Sequence, residues 1–268
     1  MKKIFFTALV GAMMISCSRD NDDTGSVTND TSILPTKFTY FIPGDDEEVI
    51  TFSYDENKLV KLTQNNEDII FTYTGDLITS MNYTDEYSFI SNSVFNYDSN
   101  GNLISEKEES YSGTIKVLEE NTTYTINGST VTAQRISKGY NKSDGALSYT
   151  ITSNITYTLD EKKRPIKKVV VYEKKDIINN ITYRGTNTFT FQYPNHHGFS
   201  ENIKGMDKLY YSSLAIGLKK ISGMVFPYSY TKDEANATIY DSSGNPSLDE
   251  NFAYETKAEY TLNTNNYP

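Results

Sequence analysis

Apolar and polar positions alternate along most of this chain with a period of two, the pattern of strands that bury one face. Phe52-Ser53-Tyr54, Phe71-Thr72-Tyr73 and Phe95-Asn96-Tyr97 each put two rings on one side of an extended segment, with a polar residue between them. A turn signal and an aliphatic return follow: Asp55-Glu56-Asn57-Lys58-Leu59, Thr74-Gly75-Asp76-Leu77 and Asp98-Ser99-Asn100-Gly101-Asn102-Leu103. Asp and Asn tolerate turn geometry and Gly supplies positive φ, so each unit reads as a β-hairpin. Weaker copies stand at Thr123–Gly128, Thr156–Glu161, Phe189–Tyr193 and Ile239–Asn245. The interval between repeat tyrosines grows from 19 residues (Tyr54 to Tyr73) to 36 (Tyr157 to Tyr193), which predicts longer hairpins toward the C-terminus.

One stretch departs from this rhythm. Met206, Leu209, Tyr210, Leu214 and Leu218 approximate a helical stripe, with Gly205 ahead of it and Asp207 in its first turn. Gly217, Gly223 and Pro227 limit its length, so the spacing predicts one short helix near 206–218. Hairpins joined in series predict an all-β, mainly antiparallel fold, a curled open meander with one aromatic face. The short helix is expected to cover that face or one end of the sheet.

The first residues follow a different logic. Lys2 and Lys3 precede an apolar run from Ile4 to Ile15, and the small residue Ser16 comes next. That order is a signal peptide, and its twelve apolar positions are too few to span a bilayer core of about 30 Å as a helix. Met14-Ile15-Ser16-Cys17 resembles a bacterial lipobox, which implies cleavage before Cys17 and lipidation of its thiol. Cys17 is the single cysteine, so the mature chain is expected to hold no disulfide and no cysteine metal site.

After it come Ser18-Arg19-Asp20-Asn21-Asp22-Asp23 and a run rich in Thr, Ser, Asn and Gly, too poor in apolar surface to offset its ordering entropy. Acidic residues just after a lipidated cysteine resemble the surface-export signal of Bacteroidota lipoproteins. The expected organisation is a leader at 1–16, a lipidated cysteine and flexible acidic tether at 17–35, and one β-rich domain at 36–268.

Composition sharpens this picture. Tyr (22) and Phe (13) suit a pleated, half-buried surface. Loss of Lys2 and Lys3 with the leader takes the net charge from −10 to −12, with 23 basic against 35 acidic side chains. Phosphate backbones would repel such a chain, so nucleic acid is not expected as a partner, and the lipid is the expected membrane attachment. Tyr97-Asp98-Ser99-Asn100-Gly101-Asn102-Leu103 resembles the YD motif of Rhs-type repeats, and Tyr54-Asp55 and Tyr240-Asp241 keep the same pair. Together with the lipobox and tether, residues 36–262 resemble Bacteroidota lipoproteins of unknown function that carry degenerate Rhs-like repeats. Tyr73 is followed by Thr74 and Tyr124 by Thr125, so the motif is loose.

Candidate chemistry is sparse. The chain has no Gly-x-Ser-x-Gly elbow, no His-Glu-x-x-His and no phosphate-binding glycine loop, and no cofactor is expected. His196 and His197 read as a polar turn between Asn195 and Gly198. Asp98–Asn102 and Asp241–Asn245 lack the ligand spacing of a calcium loop and read as hairpin turns. Asp45-Asp46-Glu47-Glu48 and Glu119-Glu120 read as solvated loops or edges. Tyr210 and Tyr211, off the β pattern, are the candidate ligand-facing pair. These features lead to the expectation of a non-catalytic, lipid-anchored outer-membrane protein, exposed at the surface or facing the periplasm. It would act as a binding or assembly module for a protein or glycan. A carbohydrate-binding lipoprotein of a glycan-uptake system is the alternative.

Overall fold

The computed structural model describes residues 14–16, 34–40, 48–64, 67–193, 202–212, 230–241 and 243–257. Among them, fifteen strands form one antiparallel sheet in which each strand lies beside its neighbours in sequence. The first seven are β1 (Met14–Ser16), β2 (Lys37–Tyr40), β3 (Glu48–Asp55), β4 (Lys58–Gln64), β5 (Glu67–Thr74), β6 (Leu77–Thr84) and β7 (Phe89–Tyr97). Then come β8 (Leu103–Ser112), β9 (Ile115–Asn127), β10 (Thr130–Tyr140) and β11 (Leu147–Leu159). The last four are β12 (Pro165–Asp176), β13 (Ile181–Gln192), β14 (Tyr230–Tyr240) and β15 (Pro246–Lys257). Hairpins do lengthen along the chain: β4 and β5 have 7 and 8 residues, whereas β9 and β11 have 13 each. The fold is the open antiparallel meander that the alternation predicts. Met14–Ser16 fall within the expected leader, so cleavage before Cys17 would leave β2 as the first strand.

The repeat has a mechanical basis. Strand pairing slips by one residue between Ser53 and Tyr54, between Thr72 and Tyr73, between Asn96 and Tyr97, and between Ile239 and Tyr240. Tyr54, Tyr73, Tyr97 and Tyr240 therefore each sit at a β-bulge, which sharpens the local twist. After Tyr97 and Tyr240 an aspartate closes the turn. Asp98 Oδ1 accepts from the N–H groups of Asn100 and Asn102, both at 2.9 Å, and Asp241 Oδ1 accepts from Ser243 and Asn245 at 2.9 and 2.8 Å. Gly101 and Gly244 then take φ of 74° and 81°, which an L side chain adopts only with strain.

One face of the sheet is the core. Phe71, Phe95, Tyr124 and Tyr157 are buried there with Ile78, Leu103, Val131 and Ile155, and Tyr54, Tyr73 and Tyr97 pack against them. The segment 202–212 covers this face. Its Lys204 N–H donates to Asn57 O between β3 and β4 at 2.9 Å, and its Tyr211 ring lies 6.5 Å from the Tyr157 ring on β11. Laid flat, seven strand spacings of about 4.8 Å would separate those strands by about 34 Å. The steps from Lys204 to Tyr211, several of them in a 3-10 turn, reach only about 18 Å. That falls short of a flat sheet even with the 2.9 Å hydrogen bond, the Tyr211 side chain and the 6.5 Å between the rings added, so the sheet curls around the segment.

The helix expected over 206–218 is far shorter here. The regular part is a 3-10 turn of four residues, Met206–Leu209, and 213–218 lie outside the described residues. Tertiary contacts end it. Met206 and Leu209 are buried, Tyr210 and Tyr211 turn into the core, and Ser212 Oγ donates to Glu106 on β8.

Candidate functional site

The inner face changes character along its strands. Toward the repeat turns it is apolar and covered by 202–212. Farther along β7–β11 it carries buried Ser91, Ser93, Glu106, Glu108, Ser110, Thr122, Ser137 and Ser153. Buried carboxylates need donors, and hydroxyls supply them here. Tyr124 Oη donates to Glu106 Oε1 at 2.6 Å, and Ser91 and Ser110 donate to Glu108 Oε1 at 2.6 and 3.2 Å. Glu120 accepts from Ser137 at 2.6 Å and faces Arg135 at 3.5 Å. These acids are built into the packing between strands. Among the described residues, no three His, Cys, Asp or Glu side chains converge to hold a metal ion.

Tyr210 and Tyr211 are not ligand-facing in this structure. They are only 9% and 7% exposed. Tyr211 meets Tyr124 edge-on at 5.4 Å between centroids and donates from its hydroxyl to Leu103 O at 3.3 Å. Burial pushes its hydroxyl, like that of Tyr73, up to about 12. The sequence places both tyrosines outside the strands, but strand periodicity cannot tell a covering segment from an exposed one.

The outer face offers a different surface. Tyr124, Ala133 and Ile155 point inward, so their neighbours in β9, β10 and β11 point out, and those neighbours are exposed. Register then aligns them into two rows across the strands. Thr125, Thr132 and Thr156 face one another in one row, and Thr123, Gln134 and Asn154 in the next. Between these six side chains lies an open groove of about 370 Å³, to which Ala133 and Ile155 contribute the floor. The lining has hydroxyls and carboxamides but no carboxylate, imidazole, amine or thiol.

Charge gathers elsewhere on the outside. Glu109 meets Lys116 at 2.7 Å and Lys107 at 3.2 Å, and Lys116 reaches Glu119 at 3.3 Å. The Lys116 hydrogen bond, with that of Lys107, holds the Glu109 carboxyl below the usual range. Glu119 and Glu120, expected on a solvated loop or edge, instead lie mid-strand in β9, where cross-strand cations and hydroxyls partner them. Asp98–Asn102 and Asp241–Asn245 form the hairpin turns that their sequence predicts. Cys17, Asp45–Glu47, His196 and His197 lie outside the described residues. The groove itself leaves no mark in the sequence. Alternating threonines read as ordinary strand formers, and only the inter-strand register brings them into rows.

No family model and no curated protein matches this chain. Among solved structures, it is similar to a porin-like protein from Bacteroides vulgatus ATCC 8482, with a TM-score of 0.49 and 14% sequence identity. The match covers 86% of this chain and 88% of that one.

Proposed function

We propose that this chain is a lipid-anchored cell-envelope protein acting as a non-catalytic binding or assembly module. Cys17 would hold it at the outer membrane, and the acidic run after it would favour display at the surface. The observation that carries the binding role is the outer groove. It sits on strands paired on both sides, and its lining offers hydrogen bonds without an acid, a base or a metal ligand. The inner carboxylates support the same reading, because Glu106, Glu108 and Glu120 already serve hydroxyls within the packing.

The alternative of a carbohydrate-binding lipoprotein finds no surface at Tyr210 and Tyr211, which are buried. The groove is the surface it would use. Cys17→Ala tests the anchor: the variant is expected in the soluble fraction, and unchanged membrane partitioning would contradict lipidation. Incubation with candidate polymers tests the absence of turnover, and release of chain ends by the purified protein would contradict it.

A further inference from the structure

Neither the core nor the anchor accounts for an uncharged outward groove on a chain with 35 acidic and 25 basic side chains. We propose that this groove binds a neutral, polyhydroxylated polymer, a polysaccharide segment lying across β9, β10 and β11. The proposal rests on the non-catalytic binding role and names its ligand class.

Three observations carry it. The first is the donor and acceptor set. Each of Thr123, Thr125, Thr132 and Thr156 both donates and accepts, while Gln134 and Asn154 each add a two-proton donor and a carbonyl. A sugar hydroxyl needs both functions at one point, and this lining supplies both at each of its six positions. None of these side chains ionises, so the lining gives an anionic polymer no counter-charge, and the net charge, −12 once the leader is lost, repels it.

The second is spacing. Positions within a row are about 4.8 Å apart and the two rows about 6.7 Å apart, because strand spacing and a two-residue rise fix them. A regular array suits a ligand whose own hydroxyls repeat. The strands are held on both sides by backbone ladders, so little backbone freedom is lost on binding. Those same ladders occupy the main-chain groups, which removes strand addition by a peptide at this place.

The third is continuity. The Thr123–Gln134–Asn154 row runs on to Ser105 on β8 and to Val171, Thr186 and Asn236 on β12–β14, all uncharged. Val171 beside Asn154, and Ile136 two residues along from Gln134, are each 49% exposed. They give the rim apolar patches for the C–H faces of a sugar.

Native electrophoresis tests this. The full chain, in a mild non-glycosidic detergent, is run through gels containing a mixed-linkage β-glucan, a galactomannan, a starch-type α-glucan or anionic polygalacturonate. Retardation by at least one neutral polymer is expected. It should weaken about tenfold in Gln134→Ala/Asn154→Ala, the loss of two hydrogen bonds, with an unchanged melting temperature. Thr132→Lys, which sets a long cation in mid-groove, gives a second variant with the same expected loss.

No retardation by any neutral polymer, equal retardation of wild type and variants, or retardation by polygalacturonate alone would overturn the proposal. Failure of the broader reading looks different. Retention with shortening of the polymer would support the site and overturn the non-catalytic role. Absence of retention in a protein still anchored through Cys17 would remove the polysaccharide ligand and leave an anchored module.

Discussion

The Tyr97 hydroxyl reaches back 19 residues and donates to Ile78 O at 2.6 Å. Ile78 is the residue paired with Tyr73 at the bulge of the preceding hairpin, so a tyrosine of one unit closes a carbonyl of the unit before it. Tyr54 does the same to Pro35 O at 2.7 Å, again across 19 residues. The next carbonyl in this series belongs to Leu103, the bulge partner of Tyr97. Tyr124 does not take it, because its hydroxyl turns to Glu106 at 2.6 Å. Tyr211 of the covering segment takes it instead. A residue far along the chain thus fills the position of a repeat tyrosine.

Tyr97→Phe keeps the ring and leaves Ile78 O without this donor. Urea unfolding should show a loss of about 1 kcal/mol. An unchanged midpoint would mean that the hydroxyl contributes nothing to joining successive hairpins.

Glu106 collects two hydroxyls, from Tyr124 and from Ser212. Glu106→Leu fits the volume but strands the buried Tyr124 hydroxyl and removes the partner of the half-buried Ser212, so a loss of roughly 1–3 kcal/mol is expected. Glu106→Gln keeps one acceptor oxygen and should lose less. Equal stability of the leucine variant and wild type would show that the polar inner face is dispensable.

Gly205 and Gly128 separate backbone strain from close approach. Both have positive φ, 79° and 61°. A Cβ at Gly205 would stand 2.8 Å from Asp76 O, whereas at Gly128 nothing lies within 4 Å. Gly128→Ala should cost about 1 kcal/mol and Gly205→Ala about 2–4 kcal/mol, since the latter also pushes the covering segment off the β5–β6 turn. Equal losses in chemical unfolding would show that Gly205 is not packed against that turn.

Alkali should attack the inner face. Burial raises Tyr73 and Tyr211 from 10.0 to about 12, and burial with nearby acids pushes Tyr97 up as well. Above pH 10.0 the unfolded chain releases these protons while the folded chain keeps them, so stability declines with rising pH. The melting temperature is expected to be insensitive to these rings below about pH 10 and to fall through about pH 12. In the folded protein, tyrosinate absorbance from Tyr73 and Tyr211 should appear only near pH 12, and its appearance near pH 10 without unfolding would contradict their burial.

Sequence reasoning reached the hairpins because their signals are local. Phe95, Tyr97, Asp98 and Gly101 each do what their own chemistry favours: rings on one side, a carboxylate on turn amides, positive φ at the glycine. It missed what register and tertiary contact decide. Nothing within 206–218 announces that Tyr211 will find Leu103, and no single strand shows that Thr125, Thr132 and Thr156 will share a row. Glu106 and Glu108 carry no such local signal, because an alternating polar position reads as solvent-facing unless its burial is known.

The division of labour between the two faces is tested most directly by thermal unfolding of Tyr211→Ala beside Gln134→Ala/Asn154→Ala. The first removes a buried ring from the inner face, a loss of about 3–5 kcal/mol that should lower the melting temperature by about 6–20 °C. The second touches only the outer groove and should melt with the wild type. A Tyr211→Ala protein as stable as wild type, or an outer-face variant that loses as much, would contradict an inner face built for stability and an outer face free to bind.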